Sequence, residues 1–437
     1  MTMTANLRVV STQAETDLEA HFAALKDGGA DLISLREAAF ARFRATGLPH
    51  RRIEEWKYTD LRAFLKSYAA PAAAASLEAV KAALADAETY AELERLRIVL
   101  ANGRLVAEVS DLAKLEAAGV EVSNFNDAVK NSAQALLSNP EISGVNPALE
   151  LNTALLQGGV VLKVKAGTAV DLPVEIVHLA LGGAVYARVR TELGKGASLT
   201  LLESFVTAGE DAVVNAVSDQ VLADEAALTA TRLIVGSGRA PHISTAFSHL
   251  GAKAELKTLG FIAGTDFARN QSYVTFAGEH STAKLYGVTM VRGQQLGDQT
   301  LVVDHAVPNC ESREFFKTVI DAGAKGVYQG KIIVRPHAQK TDGQMMTQAL
   351  LLSEDAEMAN KPELEIFADD VQCAHGATSG QIDEDLLFYL RARGIPEAEA
   401  RTLLVLAFLS EAIEEFGSES VTELLETRVR EWLAIAG

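Results

Sequence analysis

Four short segments of this chain repeat one core at a nearly constant distance. Lys195-Gly196-Ala197-Ser198-Leu199, Asp224-Glu225-Ala226-Ala227-Leu228, Ala252-Lys253-Ala254-Glu255-Leu256 and Ser281-Thr282-Ala283-Lys284-Leu285 share Ala-x-Leu, and their alanines fall 29, 28 and 29 residues apart. Ile234-Val235-Gly236, Ile262-Ala263-Gly264 and Val291-Arg292-Gly293 carry a glycine at spacings of 28 and 29, and Ala356-Glu357-Met358 reads as a later, degenerate copy. Each unit has strand signals and turns but too little apolar face to be stable alone, so the units must stack around a continuous inner column. At about 4.8 Å per layer, some six layers predict a prism roughly 30 Å tall. The competing fold, an antiparallel sandwich or barrel, predicts a shorter and less regular spacing of turns.

The repeats divide the chain into three. Residues 1–147 read as a helical and mixed domain, 148–378 as a β-helix core without long helices, and 379–437 as a helical domain. In the first part Leu18, Phe22 and Leu25, then Leu35, Phe40 and Phe43, recur near helical spacing. The alanine-rich patch Ala69 to Ala75 is either a linker or the start of a helix. Asn102-Gly103, between Ile98-Val99-Leu100 and Leu105-Val106, signals a hairpin. In the last part Asp383 is placed to cap a helix running to Arg393, Gly394 to stop it, and Pro396 to begin another. Ser420 and Glu423 form a capping-box pattern for a third helix. The helix expected over 401–416 is apolar on nearly all sides, which demands burial or a docked partner.

Charge and composition exclude several functions. A formal charge of -18 suits neither a phosphate backbone nor an anionic bilayer. Two cysteines, Cys310 and Cys373, make no disulfide framework. With no basic and apolar leader and no apolar run near the roughly 20 residues that span a bilayer, a cytoplasmic protein is expected. Neither a P-loop, an H-E-x-x-H helix nor a G-x-S-x-G elbow occurs, so any ATP chemistry belongs to another polypeptide.

The stretch with most chemistry is Asp369-Asp370-Val371-Gln372-Cys373-Ala374-His375-Gly376-Ala377-Thr378. On a strand, residues two apart leave the same face, so Cys373 and His375 point together as two metal-type ligands. Two ligands do not hold an iron or zinc centre, which takes three or four. Either the pair is structural or another chain completes the site. At the end of a repeat column the terminal layer has unpaired N–H and C=O groups, which places such a ligand at a subunit seam. The other histidines read as bland. His242 and His249 are solvent-facing or satisfied in the core, and His337 either lies in a plain polar turn or frames a surface that another subunit reads. His305 and Cys310 flank Pro308-Asn309, where the period lapses, with Cys310 a buried small hydrophobe rather than a ligand.

The run Pro362 to Thr378 closely resembles the corresponding stretch of the SufB/SufD family of iron–sulfur cluster assembly proteins. So do Lys340-Thr341-Asp342-Gly343-Gln344, Phe388-Tyr389-Leu390-Arg391-Ala392-Arg393-Gly394-Ile395 and, near the N-terminus, Glu54-Glu55-Trp56-Lys57-Tyr58-Thr59. Within the family the chain is more similar to the SufD branch. SufB proteins are richer in cysteine and carry a Cys-Gly-Ala-His type motif where this chain has Cys-Ala-His-Gly-Ala-Thr. The resemblance implies a mainly β fold, a right-handed parallel β-helix flanked by N- and C-terminal α-helical domains. It implies a non-catalytic scaffold that pairs with SufB through the β-helix and binds SufC, an ABC-type ATPase, through residues 379–437. It also implies a transient iron–sulfur cluster shared with SufB, His375 as the candidate ligand at the seam and Cys373 as a weaker one. Cys310 lies in a Pro-Asn-Cys-x-Ser-Arg stretch common to the family, with no ligand role. A homodimer is possible where SufB is absent. Two other readings stand beside this one: a purely structural partner that carries no ligand, and a β-helix carbohydrate-active enzyme. The second is disfavoured by an aromatic content of 6%.

Overall fold

In the computed structural model, residues 11–25, 30–86, 89–90, 93–137, 141–208, 212–238, 240–417 and 419–434 are described. The chain winds as a parallel β-solenoid in which every coil gives one strand to each of two facing sheets. The first sheet runs through Val174–Ala180, Ser198–Thr207, Ala227–Gly238, Glu255–Thr265, Thr282–Arg292, Glu311–Asp321, Asp342–Leu351 and Gln372–Gly380. The second runs through Gly158–Val164, Ala184–Leu193, Val213–Leu222, His242–Leu250, Phe267–Phe276, Leu296–His305, Lys325–Val334 and Glu357–Ile366. With strands about 4.8 Å apart, the stack rises roughly 34 Å. Helices flank it on both sides in sequence, as the resemblance implied.

A corner built the same way in successive coils sets the period. Gly196, Glu225, Lys253, His280, Asn309 and Lys340 have φ between 56° and 65°. Each is followed by a small buried residue: Ala197, Ala226, Ala254, Ser281, Cys310 and Thr341. A left-handed conformation costs a non-glycine residue about 1–2 kcal/mol. The coils offset that cost by stitching. The N–H of Glu225 donates to Ala252 O at 2.8 Å, that of Lys253 to Glu279 O at 2.9 Å, and that of Asn309 to Gln339 O at 3.0 Å. Cys310 is therefore a corner residue equivalent to Ala254, and the repeat continues through it rather than lapsing there.

Register corrects the sequence alignment at one step. Leu199, Leu228 and Leu256 are true neighbours, but Leu256 pairs with Ala283 and not with Leu285. The coil from Ala254 to Ser281 has 27 residues, and Ala254 N donates to Ser281 Oγ at 3.2 Å. The glycine series slips in the same coil, since Ile262 pairs with Ile234 on one side and Thr289 on the other. Ala356-Glu357-Met358 belongs to the second sheet, where Glu357 pairs with Lys325.

The two ends of the stack differ. At the N-terminal end Leu96–Ala101 pairs parallel to Val174–Ala180 and turns through Asn102 and Gly103, both at positive φ, into Arg104–Leu105. This is the hairpin that Asn102-Gly103 signals. Val120–Asn124 pairs antiparallel to Gly158–Val164 and closes the second sheet. The alanine patch is extended and bridges Ala184 at Pro71, and the helix after it begins only at Leu77. At the C-terminal end, Gln372–Gly380 and Glu357–Ile366 are the outer strands of their sheets, with no strand beyond them among the described residues.

The N-terminal helix pair and the C-terminal helices cover opposite outer faces, and helix Leu77–Asp86 joins the latter on the first sheet through Val80 against Val99 and Val177. Helices Gln13–Ala24 and Ala30–Thr46 pack through Leu18, Phe40 and Phe43 with the short helix Pro147–Leu155, which opens the segment that carries the solenoid. The Glu54-Glu55-Trp56 segment is fastened to the second sheet. The Arg269 guanidinium lies 4.0 Å over the Trp56 ring, Arg269 Nη1 donates to Asp298 Oδ2 at 2.6 Å, and Thr59 Oγ1 donates to the same oxygen. On the first sheet lie helices Glu384–Ala392, Glu397–Phe416 and Glu419–Ala434. Asp383 caps the first of these, Gly394 follows its end at φ 88°, and Pro396 is the N-cap of the second rather than its first residue. Ser420 is already inside the third helix, so it is not the residue that caps it.

Three cations of the first sheet reach these helices. Lys257 Nζ donates to Phe416 O at 3.2 Å, at the carbonyl end of the second helix. Arg292 lies 3.8 Å over the Trp432 ring and donates to its carbonyl. Lys317, almost fully buried, donates to Glu411 Oε2 at 2.7 Å beneath the Phe408 ring. Cations at helix C-termini complement the helix dipole.

The Arg269–Asp298 pair is wholly buried. Removing one partner of such a pair leaves an uncompensated charge. Asp298→Ala is expected to destabilise the fold by about 3–5 kcal/mol, read as a drop in the urea midpoint.

Candidate functional site

Two inward-facing columns of the first sheet end at the open coil. One reads Leu199, Leu228, Leu256, Ala283, Ser312, Gly343, Cys373. The other reads Leu201, Ala230, Thr258, Leu285, Glu314, Met345, His375. Strand pleating puts Cys373 and His375 on the same face, as the i, i+2 spacing requires. Because the residues below them are core, that face is the solenoid interior. Cys373 is half-buried and packs on the apolar core, whereas His375 is exposed, with no strand stacked above it.

Burial raises the Cys373 thiol above its ordinary pKa, helped by the charges of Asp342 and Glu314 and opposed by the Gly343 backbone. A thiol must lose its proton to bind metal, so folding alone does not arm Cys373. Among the described residues no three His, Cys, Asp or Glu side chains converge on a metal-sized site. The pair is an incomplete ligand set in this chain.

The Lys340-Thr341-Asp342-Gly343-Gln344 turn forms the corner under this strand. Lys340 takes the left-handed conformation, and its N–H donates to Asp370 O at 2.6 Å. Thr341 O accepts from Gln372 N at 2.8 Å, and Asp342 holds Arg313 at 2.7 Å. Gly343 lies between Ser312 and Cys373 and contributes no side chain to their column. Of the remaining histidines, His242 is buried against Ser244 Oγ at 2.6 Å, and His337 is exposed in its turn. Cys310 is fully buried, with Sγ against the carbonyls of Gly278 and Pro308 at 3.4 Å.

One residue of the site escapes sequence reading. Glu314 is 2% exposed, and neither carboxylate oxygen makes a hydrogen bond of ordinary geometry, although the Ser312 hydroxyl is close enough to act on it. Burial pushes its pKa up to about 8, against smaller opposing pulls from Ser312 and Arg313. Extending the Ala-x-Leu period by 29 residues from Leu285 lands on it. That periodic position was the available signal.

Family models match two stretches of the chain. Residues 178–408 match the SUF system FeS cluster assembly SufBD core domain, and 15–176 match the SufBD protein N-terminal region. The chain is 31% identical to the iron–sulfur cluster assembly protein SufD of Escherichia coli strain K12, over 88% of this chain and 89% of that one. It is 28% identical to a SufBD family protein of Synechocystis, over 92% of each. It is 27% identical to SufD of Bacillus subtilis, over 63% and 64%.

A carboxyl whose pKa is raised by folding weakens the fold as pH climbs from the unfolded value through the folded one. Wild-type stability is therefore expected to fall between about pH 4.5 and 8 by a component that Glu314→Gln removes, read in urea midpoints across that range. In the native chain iodoacetamide is expected to label Cys373 far more slowly than in the unfolded chain, and Cys310 not at all, read by mass spectrometry.

Proposed function

This chain belongs to the SufBD family of SUF-system iron–sulfur cluster assembly proteins, and we propose that it serves there as a non-catalytic scaffold whose open coil is completed by a SufB protein. The observation that carries the proposal is the end of the stack. The outermost strands sit there paired on one side only among the described residues, with Cys373 and His375 on the interior columns and short of a ligand set.

The two edges differ in how they invite a partner. Glu357–Ile366 carries Lys361, Pro362, Glu363 and Glu365, devices that blunt an edge. Gln372–Gly380 carries no proline and no Asp, Glu, Lys or Arg. That strand is the better template for pairing, and pairing brings a neighbour's ligands beside His375. A neutral imidazole suits iron, and a thiolate at Cys373 would add a soft donor once it is deprotonated. The cluster is cargo, held transiently at the seam.

The C-terminal unit, residues 379–437, is the docking element for SufC. Its long helix is mostly spent on burial, with Val405, Leu406 and Leu409 in the core. The shorter helix keeps Leu386, Phe388 and Tyr389 exposed, Phe388 at 72%. Such a cluster is a partner surface in a chain that lacks a P-loop of its own. On this reading ATP hydrolysis resides in SufC and the work is cytoplasmic. Among the described residues no helix is long and apolar enough to cross a membrane.

The test is to co-express the chain with SufB and SufC proteins and reconstitute clusters anaerobically. His375→Ala is expected to leave the complex intact while iron and sulfide per complex fall to background. Unchanged loading in an intact complex would show that the chain is a structural partner without a ligand.

A further inference from the structure

The corner tips of the solenoid alternate in charge from coil to coil. Each tip is the pair of residues just before the corner residue of its coil. The first carries Lys195, the next Asp224 and Glu225, then Lys253, then Glu279 beside His280. After one uncharged step at Pro308-Asn309 the series resumes with Lys340 and ends with Asp369 and Asp370. Neighbouring tips touch. Lys195 Nζ lies 3.6 Å from Glu225 Oε1, Asn309 Nδ2 donates to Glu279 Oε2 at 3.4 Å, and Lys340 pairs with Asp370. The flanks pair opposite charges across coils in the same way, with Lys163 and Glu192 at 3.2 Å, Arg313 and Asp342 at 2.7 Å, and Lys331 and Glu365 at 2.9 Å.

At the open end this series stops on one sign. Residues 322–352 hold Lys325, Lys331, Arg335 and Lys340 against Asp342, a net charge of +3. The last coil, residues 353–380, holds seven Asp and Glu residues against Lys361, a net charge of -6. All of those acids except Glu363 are exposed, and no coil of the described chain follows to answer them. Between Glu365 and Asp369 stand Ile366 and Phe367, 40% and 60% exposed.

We propose that the open coil docks a partner layer whose corner tip and flanks carry Lys and Arg, and that it turns away a second copy of this chain. The next layer would lie about 4.8 Å above Asp369-Asp370, the ordinary spacing of stacked strands. A cationic tip there continues the alternation by one rung. A second copy brings its own -6 coil, and like charges set opposite each other destabilise strand pairing. Exposed ion pairs add little stability, so these charges act on the choice of partner and on the rate of encounter. Ile366 and Phe367 supply the apolar contact within the charged rim.

This inference rests on the assembly reading for the identity of the partner, a SufB protein, and not for the cluster ligand. The test uses the full chain and a SufB protein, with association followed by stopped flow over a salt series. The variant combines Glu354→Lys, Glu357→Lys and Asp369→Lys, which brings the last coil from -6 to zero and leaves the ion pairs named above in place. Its thermal midpoint checks its fold. At low ionic strength it is expected to associate about tenfold more slowly than the wild type. The two rates should converge by about 0.5 M salt, where the field is screened. Charge dependence that persists in a complex whose cluster loading ignores His375→Ala would sink the assembly reading and not this one. The inference alone is overturned if the variant binds as fast as the wild type with the same salt dependence while amide exchange shows Gln372–Gly380 protected by the SufB protein. Self-association of the wild type that tightens as salt is lowered, read by sedimentation equilibrium, would overturn it as well.

Discussion

The backbone ladder between coils is the constraint from which the rest follows. In a parallel solenoid each strand satisfies its N–H and C=O groups only through the coils before and after it. The first coil meets Leu96–Ala101 and Val120–Asn124, so its ladder is closed by elements of the N-terminal part. Beyond Gln372–Gly380 and Glu357–Ile366 the described chain supplies nothing. The stack of this chain, a member of a family of iron–sulfur cluster assembly proteins, thus ends in two strand edges that no described element covers.

The side chains of the interior columns change in character toward that edge. Early coils fill the columns with Leu199, Leu201 and Leu228, all close-packed. Toward the mouth the same positions become Ser312, Glu314, Gly343, Cys373 and His375. Each polar replacement there forfeits apolar burial worth about 1.5–3 kcal/mol for a leucine. Other contacts hold the fold outside the solenoid. The Trp56–Arg269–Asp298 cluster fastens one outer face, and Lys257, Arg292 and Lys317 fasten the helices to the other.

Much of this was legible in the sequence. The period is visible because the corner demands a small residue and the core an aliphatic one, and the shared face of Cys373 and His375 follows from strand geometry alone. The 27-residue coil was misread because Ala283-Lys284-Leu285 imitates the repeat two residues out of step, and only hydrogen-bond register separates the two alignments. The left-handed corner position was invisible because Gly196, Glu225, Lys253, His280, Asn309 and Lys340 share no side-chain chemistry, only a backbone conformation. Glu314 hid among charged neighbours. In Ser312-Arg313-Glu314-Phe315-Phe316 the two faces alternate without an apolar side, so polarity says nothing about which residues turn inward.

Amide hydrogen exchange along Gln372–Gly380 tests the central claim most directly. Those N–H groups should exchange quickly in the isolated chain and gain protection by orders of magnitude when a SufB protein is bound, with smaller changes along Glu357–Ile366. Fast exchange that persists along Gln372–Gly380 in an intact, cluster-loading complex would mean that the partner joins elsewhere and that the open coil is not the seam.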